Sequence, residues 1–194
     1  MNFSLEPISS SDNAVLILLE EVRPEDIIEK KLLYFLKKGP IGTQILKTFF
    51  EPVEKAVIEF CLEKNCGNQV KTAQVLGINR NTLKKKIQKY NLNIQKTILR
   101  EKRTSYCKSR VFVGSVSSLD LFCIFRDKLL LDYSKNKIPS TNLLNKFCRP
   151  IERKIIQMVL DYCKGNQIKS SHFLGINRNT LKKKMDLKSK MRVH

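Results

Sequence analysis

The stretch LGINRNTLKKK occupies residues 76–86 and occurs again, letter for letter, at residues 174–184. The two copies lie 98 positions apart, and at that offset residues 49–86 and 147–184 align without a gap and share 20 of 38 residues. A sequence that repeats at a fixed offset indicates a repeated structural unit, here of about 65 residues. Two copies are too few for a solenoid, so the sequence predicts two related domains.

The repeated stretch has the local signals of two short helices joined by a turn. A first helix over residues 69–76 should end at Gly77, because glycine accepts φ > 0 after the last helical residue. Asn79 is a typical N-cap for a second helix that runs from Arg80 to about Tyr90. This arrangement predicts a helix-turn-helix.

Small residues support the helix-turn-helix in both copies. Ala73 and its counterpart Ser171 lie in the first helix, where two helices that cross at a steep angle must approach closely. The same spacing of small residue, glycine and leucine occurs twice. The sequence therefore predicts helix-turn-helix motifs over residues 69–90 and 167–187.

The second helix of the motif is amphipathic. Leu83, Ile87 and Tyr90 share one face, and a helical wheel places Asn81 and Lys85 opposite that face. Such a helix suits a DNA major groove, where residues near its N-terminus reach base edges and lysines neutralise phosphates. A lysine run alone is more often a solvated surface, so the prediction depends on the helix-turn-helix spacing around it.

Residues 53–93 resemble the C-terminal half of Fis, the factor for inversion stimulation, and are similar to the DNA-binding end of NtrC-type activators. The shared signature is Gly67-Asn68-Gln69, a small residue at 73, and Gly77-Ile78-Asn79-Arg80 followed by Thr82-Leu83. The resemblance covers nearly all of 53–93 and much of 151–184. It implies an all-α fold of two Fis-like four-helix units, each ending in a helix-turn-helix and packed as an intrachain pseudo-dimer.

The resemblance implies most of the residues that contact DNA, and the helical wheel adds Asn81 and its counterpart Asn179. In the first copy the candidates are Asn68, Val70, Lys71, Asn79, Arg80, Asn81, Thr82, Lys84 and Lys85. In the second copy they are Asn166, Ile168, Lys169, Asn177, Arg178, Asn179, Thr180, Lys182 and Lys183. Asp186 stands where the first copy has Gln88, and this leaves open whether the second copy binds DNA as well as the first.

Composition limits the classes of function. A net charge of +19 and a pI of 9.8 indicate a polyanionic partner, either nucleic acid or an anionic membrane. No stretch approaches the 18 apolar residues of a membrane helix, so we expect a cytoplasmic protein, and the resemblance to Fis implies a place at the bacterial nucleoid. The six cysteines form no CxxC, so we expect reduced thiols, no metal and no cofactor.

Two longer helices should precede each motif. We expect them over Pro24–Lys38, from Thr43 to about Lys64, over Leu119–Asn136 and over Thr141–Tyr162. Pro52 should either kink the second of these or restart it. The apolar face of that helix is larger than its own unit can cover, so a helix of the other unit should cover it.

The predicted domain boundaries follow from these elements. An N-terminal arm spans 1–22, unit one spans 23–92, a basic linker spans 93–118, unit two spans 119–188 and a tail spans 189–194. Ala14–Leu19 is a candidate strand or hairpin element. Arg110–Ser115 is a second candidate strand, and the remaining linker cations are either solvated or in contact with DNA.

Function is expected to be non-enzymatic, because no catalytic constellation and no Gly-rich nucleotide-binding loop occurs. The resemblance implies a sequence-tolerant protein that binds and bends duplex DNA as a nucleoid-associated or transcriptional regulator, with a recombinase or RNA polymerase as a further partner. Intrachain pairing should make it a monomer of 22.5 kDa. The alternative is a basic interaction scaffold that contacts a protein or RNA.

Overall fold

A computed structural model describes residues 14–18, 22–37, 44–95, 111–115 and 120–186. The first repeat contains the strand β1 (Ala14–Leu18) and the helices α1 (Pro24–Lys37), α2 (Glu51–Lys64), α3 (Gln69–Leu76) and α4 (Arg80–Lys89). The second contains the strand β2 (Val111–Ser115) and the helices α5 (Leu121–Ser134), α6 (Arg149–Tyr162), α7 (Gln167–Leu174) and α8 (Arg178–Asp186). Helices dominate, which confirms the predicted all-α class, and one two-stranded ribbon accompanies them.

The two repeats fold alike. Shifting α2 and α3 by 98 positions gives the bounds of α6 and α7, and the shift brings α4 onto α8 to within one residue at its end. Among the described residues, four α-helices of each repeat correspond under this shift, and the last two of them form the predicted helix-turn-helix. The predicted cap at Thr43 and the tail 189–194 lie outside the described residues.

A proline lies in the first turn of the second helix of each repeat. A π-helical turn, Leu46–Phe50, leads into α2, which begins at Glu51 with Pro52 in its first turn. The second repeat has the same π-helical turn, Leu144–Cys148, before α6. Proline has no N–H to donate to the preceding turn, and the first turn of a helix is where that loss is tolerated. The backbone stays helical through Phe50 and Glu51, so Pro52 is accommodated by a change from π-helical to α-helical geometry without a break in the helix.

The first helix of each repeat packs on the second helix of the other repeat. α1 lies against α6, and α5 lies against α2. Ile28 and Leu32 of α1 are fully buried in the same core cluster as Ile151 and Ile155 of α6. The expectation that a helix from the other unit covers the wide apolar face of the second helix is confirmed.

A second core cluster is formed where α5 packs on α2. There Leu129 of α5 packs with Val57, Ile58 and Leu62 of α2, and all four side chains are fully buried. Next to this cluster, Arg126 Nη2 lies 2.7 Å from Glu63 Oε1, which joins α5 to α2 through an ion pair. The two repeats therefore share two cores, each containing residues from both halves of the chain.

The two strands pair antiparallel, with Ala14 opposite Ser115 and Ile17 opposite Phe112. Under the 98-residue shift Phe112 is the counterpart of Ala14, and Ser115 is the counterpart of Ile17. Ala14 therefore pairs with the counterpart of Ile17, and Ile17 pairs with the counterpart of Ala14. This reciprocal pairing is the pattern that a two-fold axis produces. The sequence predicted both strands without their pairing, and the structural repeat begins at β1, well before the repeat visible in sequence.

The start of α5 depends on a cap that the sequence analysis did not identify. The Oδ1 atom of Asp120 accepts hydrogen bonds from the backbone N–H groups of Phe122 at 2.9 Å and Cys123 at 3.3 Å. A carboxylate at this position satisfies donors that have no partner within the helix. The helix consequently begins at Leu121 and not at the predicted residue 119.

Candidate nucleic-acid interface

The turn between α3 and α4 has the predicted backbone geometry. Gly77 follows the last residue of α3 with φ +72°, and Gly175 follows α7 with φ +71°. The backbone N–H of Ile78 then donates to the carbonyl oxygen of Ala73 at 3.0 Å, and Ile176 donates to Ser171 in the same way. These bonds close the helix ends and fix the angle at which the next helix starts.

Asparagine side chains cap all four helices of the two motifs. Oδ1 of Asn68 accepts from the backbone N–H groups of Val70 and Lys71, both at 3.1 Å. Oδ1 of Asn79 accepts from the N–H of Asn81 at 2.8 Å. Asn166 and Asn177 make the equivalent bonds in the second repeat. The oxygens of these four residues are therefore engaged in capping, and the side-chain amide nitrogens are the groups that remain as donors to a ligand.

The inner face of α4 is anchored as predicted. Leu83 is fully buried, as is Leu181 in α8, while Ile87 is half-buried and Tyr90 is buried at the helix end. Ala73 and Ser171 are buried where α3 and α7 pack closely. The apolar face that the sequence placed on the second helix is therefore used in the core, and the opposite face is presented to solvent.

Every predicted DNA-contacting residue is exposed. In the first repeat these residues are Asn68, Val70, Lys71, Asn79, Arg80, Asn81, Thr82, Lys84 and Lys85. In the second they are Asn166, Ile168, Lys169, Asn177, Arg178, Asn179, Thr180, Lys182 and Lys183. Val70 and Ile168 are large apolar side chains that stay 48% and 64% exposed, which leaves both uncovered by the fold.

The three consecutive lysines of each motif do not share one environment. Lys84 and Lys85 are exposed, whereas Nζ of Lys86 lies 2.8 Å from Oε1 of Glu54 on α2. In the second repeat Nζ of Lys184 lies 2.6 Å from Oε1 of Glu152 on α6. The third lysine thus ties the helix to its own repeat, and only the first two are placed to meet a polyanion.

Glu54 holds a second anchor in the first repeat. The Tyr90 hydroxyl donates a hydrogen bond to Oε2 of Glu54. Burial of the ring, followed by this bond to a carboxylate, raises the pKa of Tyr90 above its usual value. Lys89 adds an ion pair with Glu51 at 2.7 Å. The end of α4 is therefore fastened to α2 by three side chains.

Glu54 and Glu152 are functional candidates that the sequence analysis missed. Both are identical between the copies and both precede their lysine by 32 residues. That shared spacing was the available signal, since equivalent acid–base pairs in two diverged copies indicate a retained contact. Their role is to hold the exposed helix in place, because neither carboxylate would attract DNA.

The described residues contain no group of three or more His, Cys, Asp and Glu that could hold a metal ion. Among the described residues, Cys61, Cys66, Cys123, Cys148 and Cys163 are not in disulfide bonds. Burial raises the pKa of the Cys61 thiol to about 12, so this side chain is neutral and serves as a small apolar group. No helix among the described residues is long and apolar enough to cross a membrane.

Two short helices with a glycine turn, a buried inner face and an exposed basic outer face define the class. This is a helix-turn-helix protein that carries two copies of the motif in one chain. A family profile described as "Bacterial regulatory protein, Fis family" matches residues 49–90 and 147–186. DNA-binding protein Fis of Buchnera aphidicola subsp. Acyrthosiphon pisum is 31% identical over 70 residues, which are 35% of this chain and 71% of that protein. The chain belongs to the Fis family.

Larger regulators share the same region. DNA-binding transcriptional regulator NtrC of Azospirillum brasilense is 42% identical over 62 residues, which cover 30% of this chain and 13% of that protein. Regulatory protein AtoC of Escherichia coli K12 is 40% identical over 58 residues, again 30% of this chain and 13% of the relative. The chain therefore spans only a small part of these two regulators. No solved structure matches the chain significantly.

Proposed function

We propose that the protein binds duplex DNA through α4 and α8, bends it, and acts as a transcriptional regulator or nucleoid-associated protein. The observation that carries the proposal is the duplicated exposed face of these two helices, which we call the recognition helices. Each presents Asn, Arg, Asn and Thr in its first turn region and two lysines beyond them, while its leucine is buried.

The chemistry of this face matches the parts of a DNA groove. Asn81 and Thr82 have amide and hydroxyl groups that can bond to base edges, whereas Lys84 and Lys85 can neutralise phosphates. The side-chain amides of the capping asparagines lie beside the same face. Basic residues without this pattern would serve any polyanion, and the order of polar and cationic residues favours duplex DNA.

We expect bending because one chain holds both recognition helices on cores that the two repeats share. A pseudo-two-fold pair of recognition helices enters two major-groove segments, and duplex DNA must adjust its curvature to reach both. Because the repeats share two cores, one chain supplies the complete pair. We therefore propose that the monomer is the DNA-binding species and that it tolerates many sequences whose shape allows the bend.

Substitution of the arginines tests the proposal. Arg80→Ala and Arg178→Ala should each weaken binding by about 1–3 kcal/mol if the guanidinium groups reach bases or phosphates. Lys89→Ala is the matched control, since Lys89 lies at the far end of α4 and pairs with Glu51 at 2.7 Å. Gel shifts on one AT-rich duplex of about three helical turns would measure all three variants.

Two results would contradict the proposal. Unchanged affinity in both arginine variants, with the helical circular dichroism signal intact, would remove the recognition helices from the interface. Equal or tighter binding to an RNA duplex of the same length would favour the basic scaffold over a DNA regulator, because A-form RNA has a major groove too deep and narrow for a recognition helix.

A further inference from the structure

The loop before the second helix of each repeat touches the helix-turn-helix of the other repeat. The backbone N–H of Gln44 donates a hydrogen bond to the carbonyl oxygen of Phe173, in α7, at 3.0 Å. A Cβ atom placed on Gly175, at the turn after α7, would lie 2.7 Å from Cα of Gln44. This approach is closer than real Cβ atoms make, so the glycine is what allows the loop to rest on the turn.

An equivalent close approach to the turn glycine exists at the pseudo-symmetric position. A Cβ atom on Gly77 would lie 2.1 Å from Oδ1 and 2.9 Å from Cα of Asn142. Asn142 is the counterpart of Gln44, and Gly77 is the counterpart of Gly175, each at the offset of 98. Gln44 and Asn142 both have left-handed backbone geometry, with φ of +85° and +58°. A non-glycine residue in this region is uncommon, and both repeats retain it at the contact.

Backbone conformation alone does not account for the two turn glycines. Gly165 has φ +79°, yet a Cβ atom there would meet nothing within 4 Å. Gly77 and Gly175 have the same sign of φ and, in addition, a backbone of the other repeat directly beside them. The turn of each motif therefore contacts two different parts of the protein: the recognition helix that follows it and the loop of the opposite repeat.

We propose that Gln44 and Asn142 are positioning residues that set the separation and mutual orientation of the two recognition helices. Each loop contacts the turn of one motif and leads directly into the second helix of the opposite repeat. That repeat carries the other motif, so each loop links the two motifs. The proposal rests on the proposed function only where DNA is concerned, because it assigns these residues control over the DNA bend. Neither residue needs to contact DNA itself.

A pair of substitutions at residue 44 isolates the contact. Gln44→Pro removes the N–H that bonds to Phe173 and cannot adopt φ +85°, and because residue 44 precedes the helical segment, no hydrogen bond within the helix is lost. Gln44→Gly keeps the N–H and accepts positive φ, so it should behave like the parent. The two variants lose the same side chain and differ in the backbone bond and conformation.

The first measurement uses the free protein. An azide-bearing amino acid at Lys84 and at Lys182 allows nitroxide labels to be attached without using the native cysteines. Pulsed electron–electron double resonance then reports the distance between the recognition helices. We expect Gln44→Gly to give the parent distribution and Gln44→Pro to give a broader or displaced one. Identical distributions for both variants would overturn the proposal.

The second measurement adds DNA, with no labels on the protein. Energy transfer between dyes at the ends of a duplex of about 30 base pairs reports the bend, and gel shifts report affinity. Gln44→Pro should weaken binding about two- to tenfold, the range that one net hydrogen bond corresponds to, and should reduce the bend of the complexes that form. An unchanged bend at saturation would contradict the role assigned to Gln44.

The two measurements separate the two proposals. If the distance distribution changes but the parent protein binds no DNA, the positioning role stands and the proposed function fails. If Gln44→Pro fails to fold, Gly175→Ala and Gly165→Ala replace the pair, because both add a methyl group at positive φ and only Gly175 has a neighbour within 4 Å. A distance change in Gly165→Ala equal to that in Gly175→Ala would overturn the proposal.

Discussion

Two lysines of the first recognition helix, Lys84 and Lys86, should differ in how they affect the salt dependence of DNA binding. Lys84 is exposed, whereas Lys86 is ion-paired with Glu54 at 2.8 Å and only 24% of its side chain is accessible. Replacing each lysine by glutamine removes one positive charge at nearly the same place in the chain. Only Lys84→Gln should remove a phosphate contact.

The magnitude follows from the number of exposed cations on the two motifs. These are Lys71, Arg80, Lys84, Lys85, Lys169, Arg178, Lys182 and Lys183. Each neutralised phosphate contributes about −0.9 to the slope of log K against log salt, so the parent slope should lie between about −5 and −7 when most of them engage. Lys84→Gln should make the slope shallower by about 0.9, and Lys86→Gln should leave it unchanged.

Fluorescence anisotropy of an end-labelled duplex, titrated between about 50 and 200 mM salt, measures the slope directly. A thermal melt of the same samples should show the opposite order, because Lys86→Gln takes away a partner of the half-buried Glu54. A parent slope shallower than about −2 would refute duplex binding by both motifs. An equal decrease in the steepness of the salt dependence for both variants would refute the interpretation that Lys86 anchors α4 to α2 and does not contact DNA.

Three further predictions concern the oligomeric state and the stability of the protein. Light scattering should give a mass of 22.5 kDa in dilute solution, since each repeat already has its partner in the same chain, and a stable dimer at micromolar concentration would contradict this. Burial raises the pKa of Cys61 from 9.0 to about 12, so the folded state favours the neutral thiol and loses up to ~4 kcal/mol of stability between pH 9 and 12. Cys61→Val introduces the residue that the second repeat has at the equivalent position, Val159, and should reduce that loss in urea titrations. Leu83→Ala should cost about 2–5 kcal/mol in the same assay, and a loss below 1 kcal/mol would show that α4 is not anchored by this side chain.

The sequence predicted the parts of the fold that depend on local signals. Gly77 and Asn79 defined the ends of α3 and α4, because a left-handed turn and a side-chain cap need particular residues within a few positions. The exposure of Asn81 and Lys85 followed from helical periodicity, since Leu83 must face inward. These features need no knowledge of the remainder of the chain.

Contacts between distant segments were harder to predict. An apolar stripe on α1 shows that the helix needs a partner, but its pattern does not distinguish α2 from α6. Glutamine is not a residue type that favours positive φ, so the contact of Gln44 with Gly175 is visible only in three dimensions. The difference between Lys84 and Lys86 likewise depends on Glu54, which lies 32 residues before Lys86.

The exchange of first helices has a consequence during synthesis on the ribosome. α1 ends at Lys37, and the helix that it packs against, α6, ends at Tyr162, which is 125 residues later. At typical elongation rates of 5–20 residues per second, α1 therefore waits about 6 to 25 seconds for its main helical partner. During that interval its stripe of Ile27, Ile28 and Leu32 is without the cover that α6 supplies in the folded protein. The first repeat can therefore complete its core only after α6 of the second repeat has been synthesised.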